Sequence, residues 1–152
     1  MDGPWQIRRA RTADGRRLVP LERRCFSDPW SAEAFEELFS SPFGHGFVAE
    51  HLGEIDGYLV ARAVAGEGEI LNLAVAPEVR GQGLGARLLT AALDSLVMAG
   101  AREVFLEVRE GNLTAQSLYT HRGFRPIGRR TRYYRNPVED AIVLRLALPG
   151  GA

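Results

Sequence analysis

The sequence predicts an α/β protein: a mixed sheet flanked by helices, in the order β-α-α-β-β-β-α-β-α-β-β. Three observations predict it. Short runs rich in Val, Leu and Ile are bounded by turn residues, as at Leu52–Asp56 and Gly66–Gly68. From Leu84 to Val97 the apolar residues recur at helical spacing. Leu73-Ala74-Val75 is apolar at consecutive positions, as a strand covered on both faces requires.

Taken in order, Gln6 to Ala10 is the first strand candidate. Thr12 offers an N-cap for a helix to about Phe26, with Leu18, Leu21 and Cys25 near helical spacing and Pro20 a signal for a kink or late start. Ser27-Asp28-Pro29-Trp30 reads as a turn, and Ser31 as the cap of a short helix to about Phe39. Phe47–Glu50 and Gly57–Val64 are strands joined by the turn Leu52–Asp56. A hairpin turn at Gly66-Glu67-Gly68 then leads into the strand Glu69–Val75.

A glycine-rich loop, Arg80-Gly81-Gln82-Gly83-Leu84-Gly85, precedes a helix with Leu88, Leu89, Ala92, Leu93 and Leu96 on one face, stopped by Gly100. Val104–Val108 is another central strand, and Asn112 to about His121 a helix ended by Gly123. Phe124–Arg132 and Ala141–Leu148 form a closing antiparallel pair. Residues 1–148 make one domain, and 149–152 a loose tail.

The 152 residues are 45% hydrophobic with a net charge of +0, enough for a full core and no global attraction to nucleic acid. All 19 cationic side chains are arginine. A lone Cys25 cannot form an internal disulfide, and no apolar run approaches the ~20 residues of a membrane span. With no basic and apolar leader at the N-terminus, the expectation is a cytoplasmic protein free of membrane, a monomer or weak dimer. His45, His51, His121 and Cys25 lack ligand spacing, so no metal is expected.

The glycine loop carries the chemistry. Between a buried strand and a helix start, its glycines let backbone N–H groups turn toward a ligand, and the helix dipole favours a pyrophosphate there. A plain turn is the competing explanation. No Gly-Lys-Ser/Thr ending follows, which argues against a nucleotide triphosphatase. The loop comes late in the strand order, which argues against a dinucleotide fold.

Asn72-Leu73-Ala74-Val75-Ala76-Pro77 followed by Arg80-Gly81-Gln82-Gly83-Leu84-Gly85 resembles the acetyl-coenzyme A motif of the GNAT acetyltransferases. Leu106-Glu107-Val108-Arg109, Asn112-x-x-Ala115-x-x-Leu118-Tyr119 and Gly123-Phe124 are similar to the later motif of that superfamily. Cys25-Phe26, Pro29-Trp30-Ser31, Arg132-Tyr133-Tyr134 and Glu139-Asp140-Ala141 carry a narrower resemblance to the RimI branch, the bacterial protein N-terminal acetyltransferases. Pro20 and Thr120-His121-Arg122 depart from the family pattern.

The resemblance implies a GNAT fold with splayed central parallel strands and acetyl-coenzyme A as cosubstrate. Backbone groups of Leu73, Ala74 and Val75 would meet the coenzyme's arm, and Arg80, Gly81, Gln82, Gly83, Gly85 and Ala86 its pyrophosphate. Asn112 would contact the arm, though it also reads as a helix cap. Glu107, an acid in a run of Val, Phe and Leu, would have its pKa raised by burial and act as general base. A pairing with Arg109 or Arg102 is the other reading. Glu69 is the second-choice base, Tyr119 the general acid, and Trp30, Ser31, Tyr133 and Tyr134 the acceptor wall. The acceptor is then a protein N-terminus, that of a small-subunit ribosomal protein being the candidate. A small amine, a lysine side chain, or coenzyme binding without turnover are the alternatives. The cluster Arg129–Arg135 reads as substrate wall or solvated hairpin rather than a nucleic-acid patch.

Overall fold

The computed structural model describes residues 3–149; the tail expected at 149–152 lies, but for Pro149, outside them. The elements are β1 (Gln6–Arg9), α1 (Gly15–Cys25), α2 (Ala32–Ser40), β2 (Gly44–His51), β3 (Glu54–Val64), β4 (Glu67–Val75), α3 (Leu84–Met98), β5 (Glu103–Arg109), α4 (Leu113–His121), β6 (Arg125–Tyr134) and β7 (Glu139–Ala147). They build a seven-stranded sheet in the order β1-β2-β3-β4-β5-β7-β6. The predicted order of elements is the observed one.

Strand alternation divides β3 between two cores. Tyr58 and Val60 join Leu18, Leu21 and Phe35 under α1 and α2. Leu59 and Ala61 join Leu84, Leu88, Leu89 and Leu96 under α3 on the opposite face. Both faces of the centre are therefore covered, which is why the middle of the chain reads as continuously apolar.

Several boundaries differ from the sequence reading, each for a packing reason. Gly44 and Gly46 look like loop residues yet lie in β2. A Cβ at Gly44 would come 2.0 Å from the Leu38 carbonyl oxygen, and one at Gly46 2.4 Å from the Phe39 ring, so α2 can lie on the strand only over glycine. The two hairpin turns are tighter than predicted. Leu52 and Gly53 have φ of 51° and 78°, and Ala65 and Gly66 have 52° and 84°. Those are the paired positive angles of a two-residue turn whose twist matches the flanking strands. Glu67 and Gly68 thus fall within β4. The first helix begins at Gly15, after a short 3₁₀ turn at Thr12–Asp14, and Pro20 sits inside it without ending it. Asp14 organises that start, accepting from the Arg11 backbone N–H and from the Arg8 and Arg17 guanidinia. Among the described residues, no helix is long and apolar enough to cross a membrane.

Candidate active site

The sheet is divided at its centre. β4 and β5 run parallel and pair only through Glu67↔Glu103, Gly68↔Val104 and Glu69↔Phe105. Beyond Glu69, β4 stays with β3 as far as Val75↔Gly57, and β5 stays with β7 as far as Arg109↔Ala141. The cause lies in β4: Val60 faces Asn72 while Ala61 faces Ile70, so Leu71 is an extra residue. Such a bulge bends its strand and ends the pairing on that side. Two strand edges then face each other across a gap, with backbone groups that no strand pairs. An extended ligand with amide groups of its own can complete such edges.

The glycine loop lies at the open end of this gap. The Arg80 N–H bonds to the Pro77 carbonyl at 3.4 Å, and the next loop-to-helix backbone bond is Arg87 N–H to the Gly83 carbonyl at 3.1 Å. Between them, the N–H groups from Gly81 to Ala86 find no backbone acceptor among the described residues. Gly81 and Gly83 both have φ of 81°, and Gly83 is the N-cap of α3. This left-handed geometry turns consecutive amides to one side and needs glycine. Amides so presented, at the positive end of a helix dipole, fit an anion such as a pyrophosphate. The Arg80 side chain folds back, donating to the Val75 carbonyl at 3.0 Å and to Cys25 Sγ at 3.5 Å, so it ties the loop to β4 and to the end of α1.

A cavity of about 470 Å³ occupies the gap, lined by Ile70–Leu73 of β4, Leu106–Arg109 of β5, and residues of α1 and α4. Tyr119, on α4, is 6% exposed and packs edge-on against Phe124 at 5.5 Å. Its hydroxyl has no hydrogen-bond partner among the described residues, and the residue lines the cavity. Burial pushes its pKa up, with the nearby Tyr134 adding to the effect, so the phenol holds its proton at neutral pH. Glu107, on β5, lines the same cavity. Asn112 spends its Oδ1 capping α4, 3.1 Å from the Ala115 N–H, and also lines the cavity. The two roles expected of it are compatible. A phenol with an unshared proton and a carboxylate thus line one cavity, the minimum for moving two protons during group transfer.

Comparison with known proteins decides the family. The model of the Acetyltransferase (GNAT) family matches residues 16–124, from α1 to just past α4. The chain belongs to the GNAT acetyltransferase family. It is similar to the N-alpha-acetyltransferase RimI of Mycobacterium tuberculosis, 37% identical over 139 residues covering 88% of this chain and 86% of that protein. It is also similar to the ribosomal protein bS18-alanine N-acetyltransferase of Escherichia coli K12, 33% identical over 133 residues covering 84% and 87%. The crystal structure of the ribosomal-protein-alanine N-acetyltransferase from Escherichia coli superposes with a TM-score of 0.86 at 30% identity, covering 94% of this chain and 93% of that one. A plant protein of the same fold has been solved with acetyl-CoA, at a TM-score of 0.85 and 19% identity, covering 96% of this chain and 99% of that one. As a GNAT enzyme, the chain is an N-acetyltransferase.

Within the GNAT frame the predicted site residues separate. Glu107, Tyr119, Asn112, Leu73, Trp30 and Tyr134 meet at one cavity. Glu107 is partnered by neither Arg109 nor Arg102: its Oε1 accepts from Arg130 Nε at 3.2 Å, so it sits in an ion pair and not in an apolar enclosure. Glu69 lies outside the cavity, on the last paired rung of β4 and β5, bound to Arg62 at 2.8 Å. Ser31 also lies outside it, its Oγ accepting the Ala34 N–H as the cap of α2. Tyr133 is 50% exposed and packs edge-on against Tyr134 at 5.0 Å, while Tyr134 turns inward beneath the Arg109 guanidinium, 4.5 Å from its ring centre. Burial raises the Tyr134 pKa, with Tyr133 and Glu107 adding to it.

Two features were missed. Glu22, on α1, is a buried carboxylate on the cavity wall. Arg109 reaches across the site: it donates to Glu139 at 3.1 Å, to the Arg135 carbonyl at 2.8 Å and to Ser27 Oγ at 3.3 Å. Asn136 adds a bond to Asp28 at 3.0 Å. The α1–α2 loop and the β6–β7 hairpin are thereby joined over the cleft. No spacing rule links residues so far apart in sequence.

Proposed function

We propose that the chain takes acetyl-CoA into the gap between β4 and β5 and passes the acetyl group to the α-amine of a protein N-terminus. The proposed acceptor is the ribosomal protein, bS18, for which its Escherichia coli relative is named. The observation that carries the reading is the single cavity in which the unpartnered Tyr119 hydroxyl and the Glu107 carboxylate sit inside the split sheet.

The coenzyme is held by this chain's backbone. Amides from Gly81 to Ala86 take the pyrophosphate, and the unpaired edge of β4 from Leu73 to Val75 takes the amide-bearing arm. Bound there, acetyl-CoA supplies the acetyl group as a thioester. Glu107 removes a proton from the incoming amine, and Arg130 keeps its carboxylate aligned. An α-amine has a pKa of about 8, against about 10.4 for a lysine side chain, so the former gives up its proton more readily near neutral pH. Tyr119, protonated and free of competing partners, returns a proton to the departing sulfur. Trp30 and Tyr134 wall the entrance by which the amine arrives.

Thiol release from acetyl-CoA, measured with free-N-terminal peptides, N-blocked peptides and small amines, tests this. Turnover only with free N-termini, bS18-like sequences fastest, is the expected result. Turnover confined to small amines or to lysine side chains of blocked peptides would overturn the acceptor assignment, and binding without turnover would overturn the mechanism.

A further inference from the structure

Glu22 has no part in the proton transfers above, yet it is buried and bonded on both oxygens. It is 1% exposed, and three donors from three elements converge on it. The Trp30 backbone N–H, in the α1–α2 loop, reaches Oε2 at 2.9 Å. Asn72 Nδ2, next to the β4 bulge, reaches Oε1 at 2.6 Å, and the Tyr58 hydroxyl, on β3, donates to the same oxygen. A carboxylate taken from water is costly unless paired or fully bonded, and no cation among the described residues pairs with this one. Burial pushes its pKa up, while the bonds from Tyr58, Trp30 and Asn72 draw it back.

We propose that Glu22 is a positioning residue for the acceptor, fixing Trp30 and the Leu71–Asn72 bulge as one rigid wall of the cleft. The inference rests on the reading that the amine arrives past Trp30. Trp30 and Leu71 line the active-site cavity on one side. On the other they line a second groove, of about 510 Å³, between α2 and the Phe43 and Val64 side chains. They are therefore a partition between two spaces, and Glu22 bonds to the backbone of Trp30 and to the residue following Leu71. Its bonds reach neither the glycine loop nor Tyr119 nor Glu107. Loosening the partition changes the space open to the acceptor's first residues and leaves coenzyme binding and proton transfer in place.

Steady-state kinetics on the full chain test this. Glu22→Gln keeps the side chain's size but replaces one acceptor oxygen with an NH₂ that faces other donors. The expected result is a rise of about tenfold in KM for the acceptor, with kcat and KM for acetyl-CoA held within about twofold, matching the loss of one charged hydrogen bond. Tyr58→Phe, which removes a single donor, should raise the acceptor KM by about threefold. A rise in both KM values together, a fall in kcat alone, or an unchanged acceptor KM would overturn the proposal. Should Glu22→Gln fail to fold, an unchanged acceptor KM in Tyr58→Phe would overturn it equally. The assay uses whichever amine the native protein acetylates, so an acceptor other than a protein N-terminus defeats the earlier reading without touching this one. A native protein that acetylates no amine defeats both.

Discussion

The two ends of the cleft are built from different materials. At the proposed coenzyme end the groups on offer are main chain: N–H groups from Gly81 to Ala86 that find no backbone acceptor among the described residues, and a strand edge that no strand pairs. At the proposed acceptor end they are side chains from elements distant in sequence. Glu22 holds Trp30, Asn72 and Tyr58, and Arg109 joins Ser27 to the β6–β7 hairpin. A backbone site depends on torsion angles and is blind to most substitutions. A side-chain site can be retuned one residue at a time. One cleft can thus keep its donor and vary its acceptor.

The largest effect that would break this division is at Tyr119. Tyr119→Phe removes only a hydroxyl, and turnover should fall by about 10²–10⁴-fold while the dissociation constant for acetyl-CoA, measured by calorimetry, is unchanged. A parallel loss of coenzyme affinity would merge the two ends into one; unchanged turnover would return Tyr119 to the core. Glu107→Gln comes next, with an expected loss of about 10²-fold in kcat at neutral pH, against less than about threefold for Glu69→Gln. The reverse order would transfer the base to β4.

The smallest effect sharpens the contrast from the other side. Gly83→Val forces a branched side chain to φ of 81°, a strain of about 1–2 kcal/mol in the loop itself. Acetyl-CoA should bind about tenfold more weakly, with the acceptor KM within about twofold of native. An acceptor KM that rises as steeply would show that the ends are coupled.

The same contrast governs what was legible in the sequence. The glycine loop could be read because torsion limits are written locally: Gly81 and Gly83 stand where only glycine is comfortable, directly before an amphipathic helix. The element order was legible for the same reason. Glu22 was invisible. In Leu21-Glu22-Arg23-Arg24 it looks like one more charge on a solvated face, and its partners Tyr58 and Asn72 lie 36 and 50 residues away. Glu69 and Ser31 were named for the site but have local employment, in an ion pair with Arg62 and in a helix cap. Ser31 carried that signal openly, since the sequence already marked it as a cap. Gly44 and Gly46 show the converse, loop-like residues kept in a strand by a helix that no local pattern reveals.

Finally, the sheet is continuous across its middle through only three residue pairs, all at the end remote from the glycine loop. β1–β4 form one leaf and β5–β7 the other, and those pairs are the pivot. From Glu69 to Val75 the strand runs about 20 Å, so turning one leaf by roughly 3° at the pivot moves the far rim by about 1 Å. Any such turn would also load the Arg109–Ser27 and Asn136–Asp28 bonds, which tie the two leaves together over the cleft.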